Sequence, residues 1–267
     1  MNALPVSDVE SARRREDALR ELNLFPLWQL RSMPAATNAP EAVATAAVAK
    51  AELRPEQAVA SEIPHADICN LGWQELKKMV RDCTACKLRA GCTQTVFGTG
   101  DENADWLFVG SWPSEDDDAK GEPFAGQAGQ LLDNMLAAIK LKRGVNVYLA
   151  NVVKCSGSIK RSPQADEIAQ CAPYLARQIE LIQPRVIVAL GNAAATALLG
   201  EDRDWNSLLG KVHGYRGFAK ESFPQAIPLI ITHHPAALLL MPLNKAQTWR
   251  DLCLARDTML CPVSDAG

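Results

Sequence analysis

Nowhere in its 267 residues does the chain approach the run of about 18 apolar residues that crosses a bilayer. Nor does a basic N-terminal segment lead into an apolar stretch with a small-residue cleavage site. A membrane-spanning or exported protein is not expected, and the reading is cytoplasmic. An excess of positive charge is lacking too: 28 Lys and Arg stand against 31 Asp and Glu, for a formal net charge of -3 and an isoelectric point of about 5.9. The chain lacks the global basic footprint that draws a protein onto a nucleic-acid backbone, so any DNA contact has to come from local groups. Between Pro34 and Pro64 there is no aromatic residue, and Ala and Pro dominate. Such a stretch cannot supply a packed core and reads as a linker.

On either side of that linker the sequence changes character. Residues 7–31 place Ala12, Leu19 and Leu22 at helical spacing behind a capping candidate, Ser7, before Pro26 breaks the pattern between Phe25 and Trp28. The expected organisation is an amphipathic partner-binding peptide over residues 1–32, a linker over 33–66, a globular domain over 67–261 and a short tail over 262–267. Within the globular part, apolar runs (DWLFVG, VYLANVV, RVIVAL, PLIIT) alternate with helical patterns (GQLLDNMLAAIK, ADEIAQCAPYLARQIELI, NAAATALLG, KAQTWRDLCLARDTM). Continuous apolar strands between helices predict a parallel sheet covered on both faces, a three-layer α/β/α sandwich. Ligands in such folds gather at the carboxyl ends of the strands. Those ends carry GSWPS, NVVKC, LGNAA and THHPA.

Eight cysteines in a reducing compartment do not suggest a disulfide framework. Cys83 and Cys86 form a CxxC pair that can bring two thiolates to one centre, and Cys155 and Cys171 can close the site through the fold. Spacing alone leaves zinc and an iron-sulfur cluster both open, in a structural role. Cys69, Cys92, Cys253 and Cys261 read as packing or free thiols.

From about Met79 to Leu254 the chain resembles the type 4 uracil-DNA glycosylases. The resemblance rests on CTACKL, VFGTGD, the block GSWPSEDDDAKGEPFAGQAGQLLDNML, NVVKC, SPQADEIAQCAPYL, PRVIVALG and HHPAALL. It implies the uracil-DNA-glycosylase type of sandwich and a 4Fe-4S cluster on Cys83, Cys86, Cys155 and Cys171. It also implies a base pocket in which Phe124 stacks on a flipped base, Asn151 reads its polar edge and His234 assists the departing base. Gly110, Ser111 and Trp112 occupy the first motif, and Asp117 and Asp118 fall in the acidic stretch before Phe124.

That first motif departs from the family's Gly-Glu-(Gly or Ala)-Pro-Gly. Ser111 stands where a water-positioning carboxylate is expected, and Trp112 replaces a very small residue, adding volume at the floor of the pocket. The run after Cys155 keeps Arg161 and Pro163 but loses the family's first arginine and both prolines. At the other end of the chain, RRREDALRELNLFPLWQLR resembles the clamp-loader-binding peptide of the psi subunit of bacterial DNA polymerase III, with Leu19, Leu22, Phe25, Trp28 and Leu30 as its apolar anchors. Together these features predict a psi-like replisome accessory protein built on a weakly active or inactive glycosylase domain, with clamp-loader subunits and the chi subunit as partners and DNA contact open. The rival expectation is an active type 4 uracil-DNA glycosylase. A base-flipping damage sensor is the third.

Overall fold

The computed structural model describes residues 68–157, 161–201, 203–217, 223 and 225–260. The expected peptide over 1–32, the linker over 33–66 and the tail over 262–267 lie outside the described residues.

The chain enters through α1 (Trp73–Arg81), whose Leu76 and Val80 are buried, and a 3-10 turn over Lys87–Gly91. There follow β1 (Thr99–Gly100), β2 (Trp106–Gly110), α2 (Glu115–Lys120), α3 (Gln127–Ala138) and β3 (Val147–Asn151). The second half comprises α4 (Ala165–Ile182), β4 (Val186–Leu190), α5 (Asn192–Leu199), α6 (Trp205–Leu208), β5 (Val212–Tyr215), β6 (Ile227–Thr232), α7 (Pro235–Leu240) and α8 (Lys245–Leu260). Each predicted strand and helix is present.

Among the described residues the six strands form one sheet in the order β1-β3-β2-β4-β6-β5. Its four central strands are parallel, as the continuous apolar runs require; β2, β3 and β4 are buried at every position. The period-2 alternation divides each strand between two cores. Leu107, Val109, Ala150, Ile187 and Ala189 pack with Leu175 and Ile179 of α4 on one face. Phe108, Leu149, Val188 and Ile230 pack with Leu132 and Leu136 of α3 and Leu252 and Ala255 of α8 on the other.

The edges differ from the purely parallel expectation. β1 pairs antiparallel with β3, and β5 antiparallel with β6. Neither edge carries an apolar run: one is Thr-Gly and the other Val-His-Gly-Tyr, so no hydrophobic period marks them in the sequence.

The connection from β3 to β4 crosses β2, which lies between them, so the chain leaves β2 on one side and returns on the other. That reversal opens a crevice at the carboxyl ends of the strands. Register fixes what faces it: Gly110 pairs with Asn151, and Leu190 with Thr232.

Candidate active site and thiol pocket

At the end of β2 the chain turns through Ser111 and Trp112 into α2. The acidic stretch, which looks like a solvated loop when taken alone, forms this short helix. Ser114 caps it: its Oγ accepts from the Asp117 amide at 3.2 Å, and Asp117 Oδ2 accepts from the Ser114 amide at 3.0 Å. Asp117 Oδ1 accepts from the Ala125 amide at 2.7 Å, so this buried carboxylate is engaged at both oxygens. It builds the loop. Asp118 is likewise structural, accepting from the Thr93 and Gln94 amides.

That loop carries Phe124 at φ +57, a left-handed conformation unusual for a residue with a Cβ. The side chain that holds it comes from an unexpected place. Arg143, after α3, donates from Nη1 to the Pro123 carbonyl at 3.0 Å and from Nη2 to the Phe124 carbonyl at 3.1 Å, while its Nε donates to Asp133 at 2.9 Å. The sequence offered no signal for this arginine, because the loop atoms it holds are backbone carbonyls. Glycines make the approach possible: a Cβ at Gly129 would collide with the Phe124 carbonyl, and one at Gly110 with Asn151 Oδ1 and the Phe124 ring.

Phe124, Trp112, Asp117 and His234 line one cavity of about 350 Å³ with Ser114, Gly126 and Leu239. Such a volume lies within the range of about 300–1,000 Å³ typical of small-molecule sites. Trp112 is half-buried and packs against the core on the α4 face of the sheet. It forms a wall of the cavity, whose lining does not include Gly110, Ser111 or Asn151.

Asn151 ends β3 at the crevice, against Gly110. Its side chain is buried, yet Nδ2 has no hydrogen-bond partner. An orphaned buried donor of this kind is rare and destabilising, and one at a strand end calls for a ligand acceptor. Ser111 is buried nearby, its Oγ close to Gly191, which also abuts His234.

His234 caps α7: its Nδ1 accepts from the Ala236 amide at 3.2 Å, so the ring proton resides on Nε2. Its ring stacks against Phe124 with centroids 5.7 Å apart. Burial pushes its pKa down to about 4, although Asp117 opposes the shift. The imidazole is neutral at physiological pH and offers Nε2–H as a donor. The strand before it is held by Asp251 of α8, which accepts from Thr232 Oγ1 at 2.8 Å.

A second cluster lies outside this cavity. Cys83, Cys86, Cys155 and Cys171 line one pocket together with Val80, Arg89, Lys154 and Tyr174, and all four thiols are free. Burial pushes the Cys86 and Cys155 thiols up, and that of Cys171 up to about 12. Thiols so buried ionise only against a cationic centre. Among the described residues no group of three or more His, Cys, Asp or Glu side chains is arranged to hold a single metal ion. Four cysteine thiolates are the donor set that a four-iron cluster takes, and these four side chains share one pocket. The donor set thus fits an iron-sulfur cluster. Cys92, expected to be an inert thiol, accepts from Arg89 and interacts with Cys155 at the rim of this pocket.

Arg161, which survives from the family pattern, forks onto Glu167 at 2.7 and 2.8 Å and so closes the N-terminus of α4. Its charge is tied to the protein.

Comparison with known proteins agrees with the geometry. A sequence model of the uracil DNA glycosylase superfamily matches residues 97–255. The chain belongs to that superfamily. A type-4 uracil-DNA glycosylase of Archaeoglobus fulgidus is 39% identical over 168 residues, 63% of this chain and 83% of that protein. Type-4 enzymes of Sulfurisphaera tokodaii and Pyrobaculum aerophilum are 35% and 36% identical, over 71% and 68% of this chain and 86% and 91% of theirs. These relatives favour the glycosylase expectation over the psi-like one, and the matched superfamily segment lies wholly in the globular domain.

Proposed function

We propose that this protein is an active glycosylase that hydrolyses the N-glycosidic bond of deoxyuridine in DNA. The observation that carries the proposal is the unpartnered Nδ2 of buried Asn151 beneath Gly110 and Phe124. A flipped uracil presents a carbonyl oxygen to that donor and an N–H to the Asn151 carbonyl oxygen, with its face against Phe124. As the bond between C1′ and N1 breaks, the electron pair passes to the base. Negative charge then develops on the uracil carbonyl that meets His234 Nε2–H, a fixed donor in a shielded site. Water adds to the cationic sugar carbon and loses its proton to solvent, and the departing uracil anion takes a proton from solvent, giving free uracil and an abasic site.

An electron-poor sugar carbon reacts with water without a strong base. Ser111 in place of a carboxylate, and an Asp117 whose oxygens are both engaged, therefore slow the step without preventing it. Leu240 at the end of α7 and Leu243 beyond it are 84% and 93% exposed, beside Met241, and would wedge into the gap left by the flipped base.

Cys83, Cys86, Cys155 and Cys171 would hold a four-iron cluster. It would tie the CxxC segment to the end of β3 and to α4, a structural contribution, since none of the four cysteines lines the Phe124 cavity. Clamp-loader contact through residues 1–32 rests on the sequence resemblance alone.

The test is incubation of iron-replete full-length protein with uracil-containing single- and double-stranded DNA. Release of free uracil that Asn151→Ala and His234→Ala strongly reduce, to a measurable residual rate, supports the proposal; no release from either substrate overturns it. Iron and sulfide analysis decides the cofactor, and zinc in place of iron refutes the cluster.

A further inference from the structure

Lys154 is 1% exposed, among the most completely buried large side chains of the domain, and the reaction above assigns it no role. Its Nζ donates to the backbone carbonyl of Asn151 at 2.9 Å and to Gln178 Oε1 at 2.6 Å. Gln178, fully buried on α4, passes the contact on by donating from Nε2 to the Phe97 carbonyl at 3.0 Å. Lys154 also lines the four-thiol pocket and interacts electrostatically with Cys171. Its hydrogen-bond acceptors are a carbonyl and an amide oxygen, both neutral.

A buried ammonium group without a counter-ion is strongly unfavourable, and two neutral acceptors compensate only part of its lost hydration. Four cysteine thiolates around an iron centre place net negative charge in the adjoining pocket, on the side from which Cys171 already acts. The same three-donor head can then face thiolate on one side and hold the end of β3 on the other. The side chain that depends on that strand end is Asn151, three residues before Lys154.

We propose that Lys154 is a positioning residue that ties the four-thiol pocket to the strand end carrying Asn151, so that the filled pocket holds the base-reading amide in register. Methionine at 154 keeps the length and apolar stem and removes both the charge and the donors. Gln178→Leu removes one acceptor while leaving the lysine. The proposal rests on the glycosylase reading for its catalytic arm, and a second arm stands without it.

In the first arm, Lys154→Met, Asn151→Ala and the double variant are compared in excision of uracil from single-stranded DNA, with iron content measured on each sample. The loss expected for a partner that orients a site group is about 10- to 100-fold in kcat, with KM nearly unchanged. In the Asn151→Ala background Lys154→Met produces no further loss, because the lysine acts through that residue. Full additivity of the two losses, or wild-type kcat in an iron-replete Lys154→Met protein, overturns the proposal.

In the second arm a ferrous chelator is added to holo-protein and iron release is followed by absorbance. Severalfold faster release from Lys154→Met and Gln178→Leu than from wild type is expected, and equal rates overturn the proposal. If Lys154→Met cannot retain iron, Gln178→Leu carries both arms with the same expected signs. Wild-type protein that excises no uracil refutes the glycosylase reading while the iron-release arm still decides the role of Lys154.

Discussion

Replacing Arg143 by alanine removes a clamp from the strained residue of the base pocket. Phe124 lies at φ +57, which disfavours a residue with a Cβ by about 1–2 kcal/mol. The guanidinium offsets that strain through its bonds to the Pro123 and Phe124 carbonyls, at 3.0 and 3.1 Å, and its side chain is 25% exposed. Hydrogen bonds from a charged donor contribute about 1.5–3 kcal/mol each, so the pair outweighs the strain even when partly screened. In Arg143→Ala the Asp117 carboxylate still holds the Ala125 amide, but nothing fixes the Phe124 carbonyl. The loop then relaxes by the strain it had stored, and the stacking conformer falls to about one molecule in 5 to 30. Apparent kcat/KM for uracil excision should drop by that same factor of about 5–30. Single-turnover release of uracil, paired with thermal melting, measures it, and Arg143→Lys should recover only part. Wild-type kcat/KM in Arg143→Ala at an unaltered melting temperature would refute the clamp.

His234 should show no titration near the ordinary value of 6.5: its proton affinity is lowered to about 4, so excision stays flat as pH falls through 6.5 and declines only near 4. The unfolded chain binds the extra proton between those values, so this group makes stability rise with pH from about 4 to 6.5 and contributes no slope above; a denaturation series across that window checks the sign. Gly110→Ala should abolish excision by pushing apart Asn151 and Phe124, measurable as loss of activity in a protein that retains its iron. Capture of clamp-loader subunits by full-length protein, lost in Trp28→Ala, would support the contact that the sequence resemblance implies; no capture by wild type removes it.

The alternating core was legible because β2, β3, β4 and β6 are apolar through most of their length and α4 between β3 and β4 has a marked helical period. What escaped depends on tertiary contact. Arg143 meets a loop 19 residues before it through carbonyls, which leave no trace in residue type. Phe124 could be placed in a pocket from its motif but not in a left-handed conformation, and the short helix over Glu115–Lys120 depends on a capping box that closes when Asp117 also reaches Ala125. Trp112 was read by volume alone. Side-chain direction decides the outcome, and the indole turns to pack on the core and borders the cavity. The four cysteines were found by spacing and motif, while the lysine beside Cys155 passed as part of a string of letters until its burial appeared.

The short edges of the sheet bear on how the protein behaves at high concentration. An unpaired strand edge is a template for another chain, and its hazard grows with its length and flatness. Here one edge is two residues, Thr99–Gly100, and the other is four, Val212–Tyr215, with Gly214 near its middle. Neither presents the long ladder of open amides that nucleates cross-chain pairing. Copies can therefore stand close together at high concentration without zipping sheet to sheet into fibres.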